Sequence, residues 1–258
     1  MKKAQVTVIS QKEIARDIFE MRLHGDIAGE MTPPGRFVHL KADGCFETLL
    51  RRPISIADMD RDRREFTVIY RVDGKGTKNL SEKAAGDCID LLGPLGNGFP
   101  TESVVPGQTA LLVGGGIGVP PLYNLSKRLV EKGIRVKHVL GFSSGREVFY
   151  EKRFAELGET CVTTVDGSHG QKGFVTDAMK ADGDDFHVMY ACGPTPMLRA
   201  LERQYAHKEA YFSLEQRMGC AVGACLACVC RVQGDETGAA YRKVCKDGPV
   251  FPLGEVVL

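Results

Sequence analysis

Apolar and polar residues alternate along the first hundred positions in short runs: Gln5-Val-Thr-Val-Ile9, Ile18-Phe-Glu-Met-Arg-Leu23, Arg36-Phe-Val-His-Leu-Lys41, Glu65-Phe-Thr-Val-Ile-Tyr70 and Asp87-Cys-Ile-Asp-Leu-Leu92. A period of two puts every second side chain on one face, so each run predicts a strand, and the Gly, Pro and Asp residues between them predict tight connections. Several such strands at close spacing predict a small antiparallel barrel, interrupted by one short helix from Thr77 to Ala85.

After Pro106-Gly107 the pattern changes. Thr109-Ala-Leu-Leu-Val113 is a continuous apolar strand, followed by Gly114-Gly-Gly-Ile-Gly118 and a helical stretch from Pro120 to Lys132 with apolar Leu122, Leu125, Leu129 and Val130. Strands over 136–141, 160–165 and 186–191 then alternate with helices over 150–157, 175–179 and 196–205, which predicts a doubly wound parallel sheet. A last strand, Ala210-Tyr-Phe-Ser-Leu214, leads into a cysteine-rich end. The expected organisation is a β-barrel domain over 1–101, an α/β domain over 102–207 and a small module over 208–258.

Composition narrows the function. A net charge of +1 with 26% charged residues leaves no basic face for nucleic acid, and Lys2-Lys3 and Arg61-Asp-Arg-Arg64 read as solvated charge. No apolar run reaches the roughly 18 residues of a membrane helix, and the N-terminus runs directly into a strand pattern. The expected setting is soluble and cytoplasmic. Nine cysteines is an odd count, which disfavours a disulfide framework.

The cysteines carry the first chemistry. Cys220, Cys225 and Cys228 are spaced C-x4-C-x2-C, and Cys245 follows with sixteen residues between. This is the plant-type spacing for a [2Fe–2S] cluster, and Gly219, Gly223, Ala221, Ala224 and Ala227 keep the loop uncrowded. Four-cysteine zinc is the alternative, but such sites usually pair two close C-x2-C hairpins, and Cys245 has no near mate. Cys45, Cys88 and Cys161 read as small buried hydrophobes, and Cys230 as structural.

Two stretches in the barrel half suit a phosphorylated cofactor. Arg51-Arg52-Pro53-Ile54-Ser55 sets a guanidinium and a hydroxyl on one strand, although a charged edge strand has the same appearance. In Ile69-Tyr70-Arg71-Val72-Asp-Gly74-Lys-Gly76-Thr77, glycines precede a helix whose free amides favour anions. Tyr70 could flank a planar ring or simply fill the core. In the second half the glycine turn at 114–118 and Cys192-Gly193-Pro194 both lie at carboxyl ends of strands, where ligands collect on such sheets.

Arg52-Pro53-Ile54-Ser55, Gly74-Lys75-Gly76-Thr77, Gly114–Gly118 and Cys192-Gly193-Pro194, in this order, resemble the motifs of the ferredoxin–NADP reductase superfamily. Together with Gly93-Pro-Leu-Gly-Asn-Gly-Phe99, the cysteine loop and Lys243-Val-Cys245-Lys-Asp-Gly-Pro-Val-Phe251, they make the chain resemble the electron-transfer subunits of type B dihydroorotate dehydrogenases along essentially its whole length. The resemblance implies an FAD-binding barrel, an NAD-binding α/β domain and a [2Fe–2S] module.

It also implies roles. Arg52, Pro53, Ile54 and Ser55 would contact FAD, with Arg52 near the phosphates and Ser55 near the flavin N5 edge. Ile69, Tyr70, Arg71 and Val72 would line the flavin or ribityl, Gly76 and Thr77 would hold the pyrophosphate, and Gly96 and Asn97 (with Leu95) would lie near the cofactors. Gly115, Gly116, Gly118, Cys192, Gly193 and Pro194 would approach the nicotinamide nucleotide, and Cys220, Cys225, Cys228 and Cys245 would ligate the cluster. Asp166, at the end of a strand, repels a 2′-phosphate and can accept from a ribose hydroxyl, which favours NAD over NADP; Ser144 and Arg146 weigh the other way. Hydride transfer needs no protein acid or base, so no catalytic residue is expected.

By the same resemblance, electrons from dihydroorotate would arrive from the FMN of a catalytic partner subunit, in a heterotetramer of two of each chain, and pass through the cluster and FAD to NAD+ in pyrimidine biosynthesis. Two alternatives remain at this point: an iron–sulfur flavoprotein reductase serving ferredoxin, hydrogenase or sulfide, and a redox-sensing or zinc-stabilised module without turnover.

Overall fold

The computed structural model describes residues 1–41, 48–182 and 185–258; Cys45 lies outside them. Strands β1 (Lys2–Ala15), β2 (Ile18–His24), β3 (Phe37–Leu40), β4 (Arg52–Asp60), β5 (Glu65–Arg71) and β6 (Cys88–Leu95) close into an antiparallel barrel in the order β1-β2-β5-β4-β3-β6. The alternation read from sequence is the reason: Val6 and Val8, Met21 and Leu23, Val38 and Leu40, and Ile89 and Leu91 all turn inward. Helix α1 (Lys75–Ser81) sits across this barrel with Leu80 fully buried.

The second unit is a seven-stranded sheet of β7 (Thr109–Gly115), β8 (Arg135–Phe142), β9 (Glu159–Thr164), β10 (Gln171–Lys172), β11 (Val188–Cys192), β12 (Glu209–Ser213) and β15 (Val250–Pro252), ordered β10-β9-β8-β7-β11-β12-β15. All neighbours are parallel except β15, which is antiparallel to β12. Every residue of β7 is buried, as expected of a strand covered on both faces. Helices α2 (Pro120–Glu131), α3 (Glu151–Ala155), α4 (Val175–Asp182) and α5 (Thr195–Tyr205) complete the layers; α2 buries Leu122, Leu125 and Leu129, and α5 buries Leu198, Leu201 and Tyr205.

Between β12 and β15 the chain makes the cysteine loop and a hairpin, β13 (Val229–Arg231) with β14 (Tyr241–Lys243). Both ends of this excursion are fastened to the parallel sheet, with Phe212 paired to Phe251. The loop is therefore held against a rigid layer. Cys88, at the start of β6, is exposed and Cys161 is half-buried, so neither is the fully buried thiol expected from its strand context.

The barrel and the α/β unit meet through polar contacts. Lys127 on α2 bonds both carboxylate oxygens of Asp58 on β4, at 2.7 and 3.0 Å. Glu20 on β2, almost fully buried, accepts from the Tyr150 hydroxyl and pairs with Arg153 at 3.3 Å and Lys12 at 3.1 Å. A buried carboxylate with this many donors is satisfied rather than stranded.

Candidate functional site

A cleft of ≈ 850 Å³ opens between the barrel and the start of the C-terminal segment, lined among others by Arg52, Pro53, Ile54, Ser55, Ile69, Tyr70 and Arg71. All seven come from two adjacent strands, β4 and β5, with Arg71 closing β5. Arg51 is neutralised by Asp90 at 2.9 Å, whereas no carboxylate pairs with Arg52 among the described residues. The Arg52 charge is available to a phosphate.

Gly76 lies in the first turn of α1, directly under Arg52: a Cβ there would stand 2.3 Å from Arg52 Nε. Preceding it, Gly74 holds φ at +121°, a backbone geometry that glycine tolerates. Thr77 ties this turn together, accepting from the Asp73 amide at 2.9 Å and donating to the Gly74 carbonyl at 3.1 Å. Tyr70 combines both of its sequence readings. Its ring is buried in the barrel beside Phe19, its hydroxyl donates to Gln11 Oε1 at 2.7 Å, and burial raises its pKa, yet it also lines the cleft. Val72 lies one residue beyond the cleft-lining run, its amide bonded to the Asp17 carbonyl at 2.8 Å.

Gly96 and Asn97 stand elsewhere. Gly96, with φ at +71°, packs against Pro249, and Asn97 bonds the Gly248 carbonyl through its amide at 2.6 Å and the Asp247 carbonyl through Nδ2 at 2.9 Å. They brace the segment after Cys245 against the barrel. The cleft's other walls include Phe37, Ile117, Pro249 and the run from Ser213 to Met218. Sequence reading passed over that run, although its position at the carboxyl end of a strand, just before the cysteines, was a signal.

A second pocket of ≈ 480 Å³ lies at the carboxyl ends of β7, β8 and β9 and is lined by Gly115, Gly116, Ile117, Gly141, Phe142, Ser143, Thr163, Phe174, Pro194 and Met197, among others. The glycines make it possible: a Cβ at Gly115 would meet Met197 Sδ at 2.7 Å, and one at Gly118 would meet the Cys192 carbonyl oxygen at 2.4 Å. Gly193 packs in the same way against Gly115. Thus Gly115, Gly116 and Pro194 line the pocket, while Gly118, Cys192 and Gly193 form the packed joint behind it. Cys192 is buried, and burial pushes its thiol pKa far up, so it stays a thiol. Asp166 is exposed and follows the lining residue Val165 in sequence; bonds from the Ser168 hydroxyl (2.6 Å) and amide (2.9 Å) hold its carboxyl below the usual range.

Arg71, Ile117 and Glu215 line both pockets. The Arg71 guanidinium pairs with Glu147 at 3.2 Å. Glu215 is open to the cleft yet ringed by its walls, which deprive the carboxylate of bulk water and raise its pKa; Arg71 pulls the other way. The two pockets therefore share a wall, and groups bound in each would adjoin there.

The cysteine loop is shaped by three left-handed residues, Ala221 (φ 57°), Gly223 (φ 84°) and Leu226 (φ 58°). This turn aims three amides at one sulfur: Val222 N at 3.4 Å, Ala224 N at 3.3 Å and Cys225 N at 3.3 Å from Cys220 Sγ. Burial opposes ionisation of Cys220, but these amides and the Cys225 thiol outweigh it and lower its pKa to about 6. Cys245 donates its amide to Cys228 Sγ at 3.4 Å, and burial beside Cys228 raises its own thiol to about 12. Side-chain contacts thus link Cys220 to Cys225 and Cys245 to Cys228, and these four thiols would be the ligands of an iron–sulfur cluster. Cys230 turns instead to the Arg242 carbonyl, at 3.6 Å.

Comparison with known proteins follows the same three parts. Residues 5–99 match the oxidoreductase FAD-binding domain, residues 112–203 the oxidoreductase NAD-binding domain, and residues 215–257 the iron–sulfur cluster binding domain of dihydroorotate dehydrogenase B. The chain is 59% identical, over the full length of both, to the dihydroorotate dehydrogenase B (NAD(+)) electron transfer subunit of Bacillus mycoides, and 59% identical over the same span to that of Bacillus cereus. Among solved structures, an NADH-dependent reduced ferredoxin–NADP oxidoreductase shares 32% identity at a TM-score of 0.85, covering 98% of this chain and 90% of that one. An Amycolatopsis cytochrome P450 reductase, at 23% identity and a TM-score of 0.68 over 80% of this chain and 66% of that one, shares the fold.

Proposed function

This chain belongs to the family of dihydroorotate dehydrogenase B (NAD+) electron transfer subunits, and on that footing we propose that it couples a dihydroorotate-oxidising partner to the reduction of NAD+. The observation that carries the reading is the continuity of three sites on one frame: the Arg52 cleft, the nucleotide pocket that shares Arg71, Ile117 and Glu215 with it, and the cysteine loop, whose Cys220 follows Glu215 by five positions.

FAD exchanges electrons either as a hydride pair or singly, and an iron–sulfur cluster carries one at a time, so the two together join a nicotinamide to a one-electron route. This chain's residues supply binding, orientation and field. Arg52, Gly76 and Thr77 cradle the FAD phosphates, and Pro53, Ile54, Ser55 and Tyr70 flank the flavin. Gly115, Gly116 and Pro194 admit the nicotinamide nucleotide, and Asp166, next to the lining residue Val165, selects NAD by repelling a 2′-phosphate. Cys220, Cys225, Cys228 and Cys245 hold the cluster, and the amides around Cys220 favour its thiolate.

The partner in this reading is an FMN-containing catalytic subunit, two copies of each chain forming the assembly, in the cytoplasm. Among the described residues no helix is long and apolar enough to cross a membrane. The isolated chain should oxidise NADH with artificial acceptors and leave dihydroorotate untouched, gaining that activity only with its partner. Turnover of dihydroorotate by the isolated chain would refute the division of labour. The 32% identity with a ferredoxin–NADP oxidoreductase supports a second reading, a reductase serving ferredoxin; NADH-driven ferredoxin reduction without any effect of the dihydroorotate-oxidising subunit would favour it.

A further inference from the structure

Thr163 and Thr164 sit side by side on β9, and both are completely buried. Thr164 is satisfied: its hydroxyl donates to the His169 carbonyl at 2.6 Å and accepts from the His169 amide at 3.1 Å. Thr163 Oγ1 has no hydrogen-bond partner among the described residues. An orphaned buried hydroxyl is uncommon, because it has given up water and received nothing in exchange.

Its location accounts for it. Thr163 lines the nucleotide pocket, opposite Gly141 in the β8–β9 register. Its oxygen lies 3.3 Å from where a Cβ on Gly141 would stand, and Val175 Cγ1 lies 2.6 Å from the same point. A side chain at 141 would collide with Val175 and crowd the hydroxyl, so glycine there keeps Thr163 beside the pocket. Threonine also has more than one accessible χ1 well, and a turn of about 120° exchanges hydroxyl and methyl, so the oxygen can swing towards a guest in the pocket. This stretch of floor lies between the glycine turn at Gly115–Gly116 and Val165, next to Asp166, the span where the sugar–phosphate middle of a dinucleotide would lie.

We infer that Thr163 is a hidden binding group of the nucleotide pocket, whose hydroxyl is completed by a phosphate or ribose oxygen of the bound dinucleotide. The inference rests on the NAD reading of that pocket. It makes Thr163 a binding determinant that contributes only when ligand is present and costs the empty protein stability.

The test compares Thr163→Val, which keeps the shape and removes the hydroxyl, with Thr163→Ser, which keeps the hydroxyl, in FAD- and cluster-loaded oxidised protein. Calorimetric titration with NAD+ and with ADP-ribose reads affinity, and thermal unfolding without nucleotide reads the orphan's cost. Thr163→Val should bind both ligands about tenfold more weakly while its nucleotide-free midpoint rises by about 2–4 °C, and Thr163→Ser should bind as the parent does. Unchanged affinity of Thr163→Val for both ligands would overturn the inference, and a loss confined to NAD+ would overturn the assignment to the sugar–phosphate. Failure of the parent protein itself to bind either ligand would overturn the NAD reading beneath it.

Discussion

Gly76 and Arg52 occupy adjoining space so completely that a Cβ on residue 76 would come within 2.3 Å of Arg52 Nε and 2.4 Å of Nη2. Within a helix, alanine is intrinsically better than glycine by about 1 kcal/mol, so the backbone at this first-turn position does not call for glycine; the guanidinium does. Gly76→Ala should therefore fold normally but push Arg52 out of place and weaken FAD retention by about tenfold, read as the FAD-to-protein ratio after gel filtration. Full flavin occupancy in this variant would show that Arg52 does not depend on that space.

Replacing Cys225 by Ser should abolish the iron–sulfur absorbance and electron paramagnetic resonance signal while FAD reduction by NADH persists at near-parental rate. The cleft is walled by β4 and β5 together with the run from Ser213 to Met218, whereas the thiolates begin beyond it at Cys220, so loss of the cluster need not unfold the cleft. Loss of NADH-dependent flavin bleaching in a folded Cys225→Ser protein would mean that the cluster loop builds the flavin site as well.

Much of this arrangement is legible in the sequence because it is local. Period-two runs mark five of the six barrel strands, with β4 signalled only by Arg52-Pro53-Ile54-Ser55; the Gly114–Gly118 turn marks the first parallel strand, and four cysteines at a known spacing mark the cluster loop. What was not legible depends on long-range pairing. That β12 and β15 extend the parallel sheet follows from the Phe212–Phe251 register, which no local pattern encodes. Glu215 and Met218 reach the Arg52 cleft only because that sheet edge lies against the barrel. Gly96 and Asn97, which the resemblance places near the cofactors, clasp Gly248 and Asp247 from behind the cleft walls Phe37 and Pro249, a contact that no local pattern encodes.

Asp166→Ser should raise the kcat/KM ratio of NADPH to NADH by about tenfold or more, since an exposed carboxylate held ionised by Ser168 no longer faces the 2′-phosphate. Steady-state diaphorase assays with both coenzymes check this. An unchanged ratio would place the adenosine ribose away from residue 166.

Two histidines should make the protein sensitive to mild acid. His138 is buried between Ser126, at 2.8 Å, and Thr160, at 2.9 Å, and His39 is buried inside the barrel; burial lowers both to about 4. In the unfolded chain each takes a proton near pH 6.5. Between those limits the unfolded state binds more protons, so stability is intact above pH 6.5 and falls as pH drops towards 4. The urea midpoint should decline across that window, and His138→Gln should flatten part of the decline. A midpoint constant from pH 7 to 4.5 would contradict the neutral, buried state of these rings.

The central claim is that this chain joins dihydroorotate oxidation to NAD+ without performing the first half itself. The direct measurement is dihydroorotate-dependent NADH formation by this chain alone, by an FMN-containing dihydroorotate-oxidising subunit alone, and by the two co-purified, with FAD, FMN, iron and sulfide assigned to each chain. The expected result is activity only in the mixture, with FAD and one two-iron cluster on this chain and FMN on the other. Dihydroorotate-dependent NADH formation by this chain alone, or a mixture no more active than the parts, would contradict it.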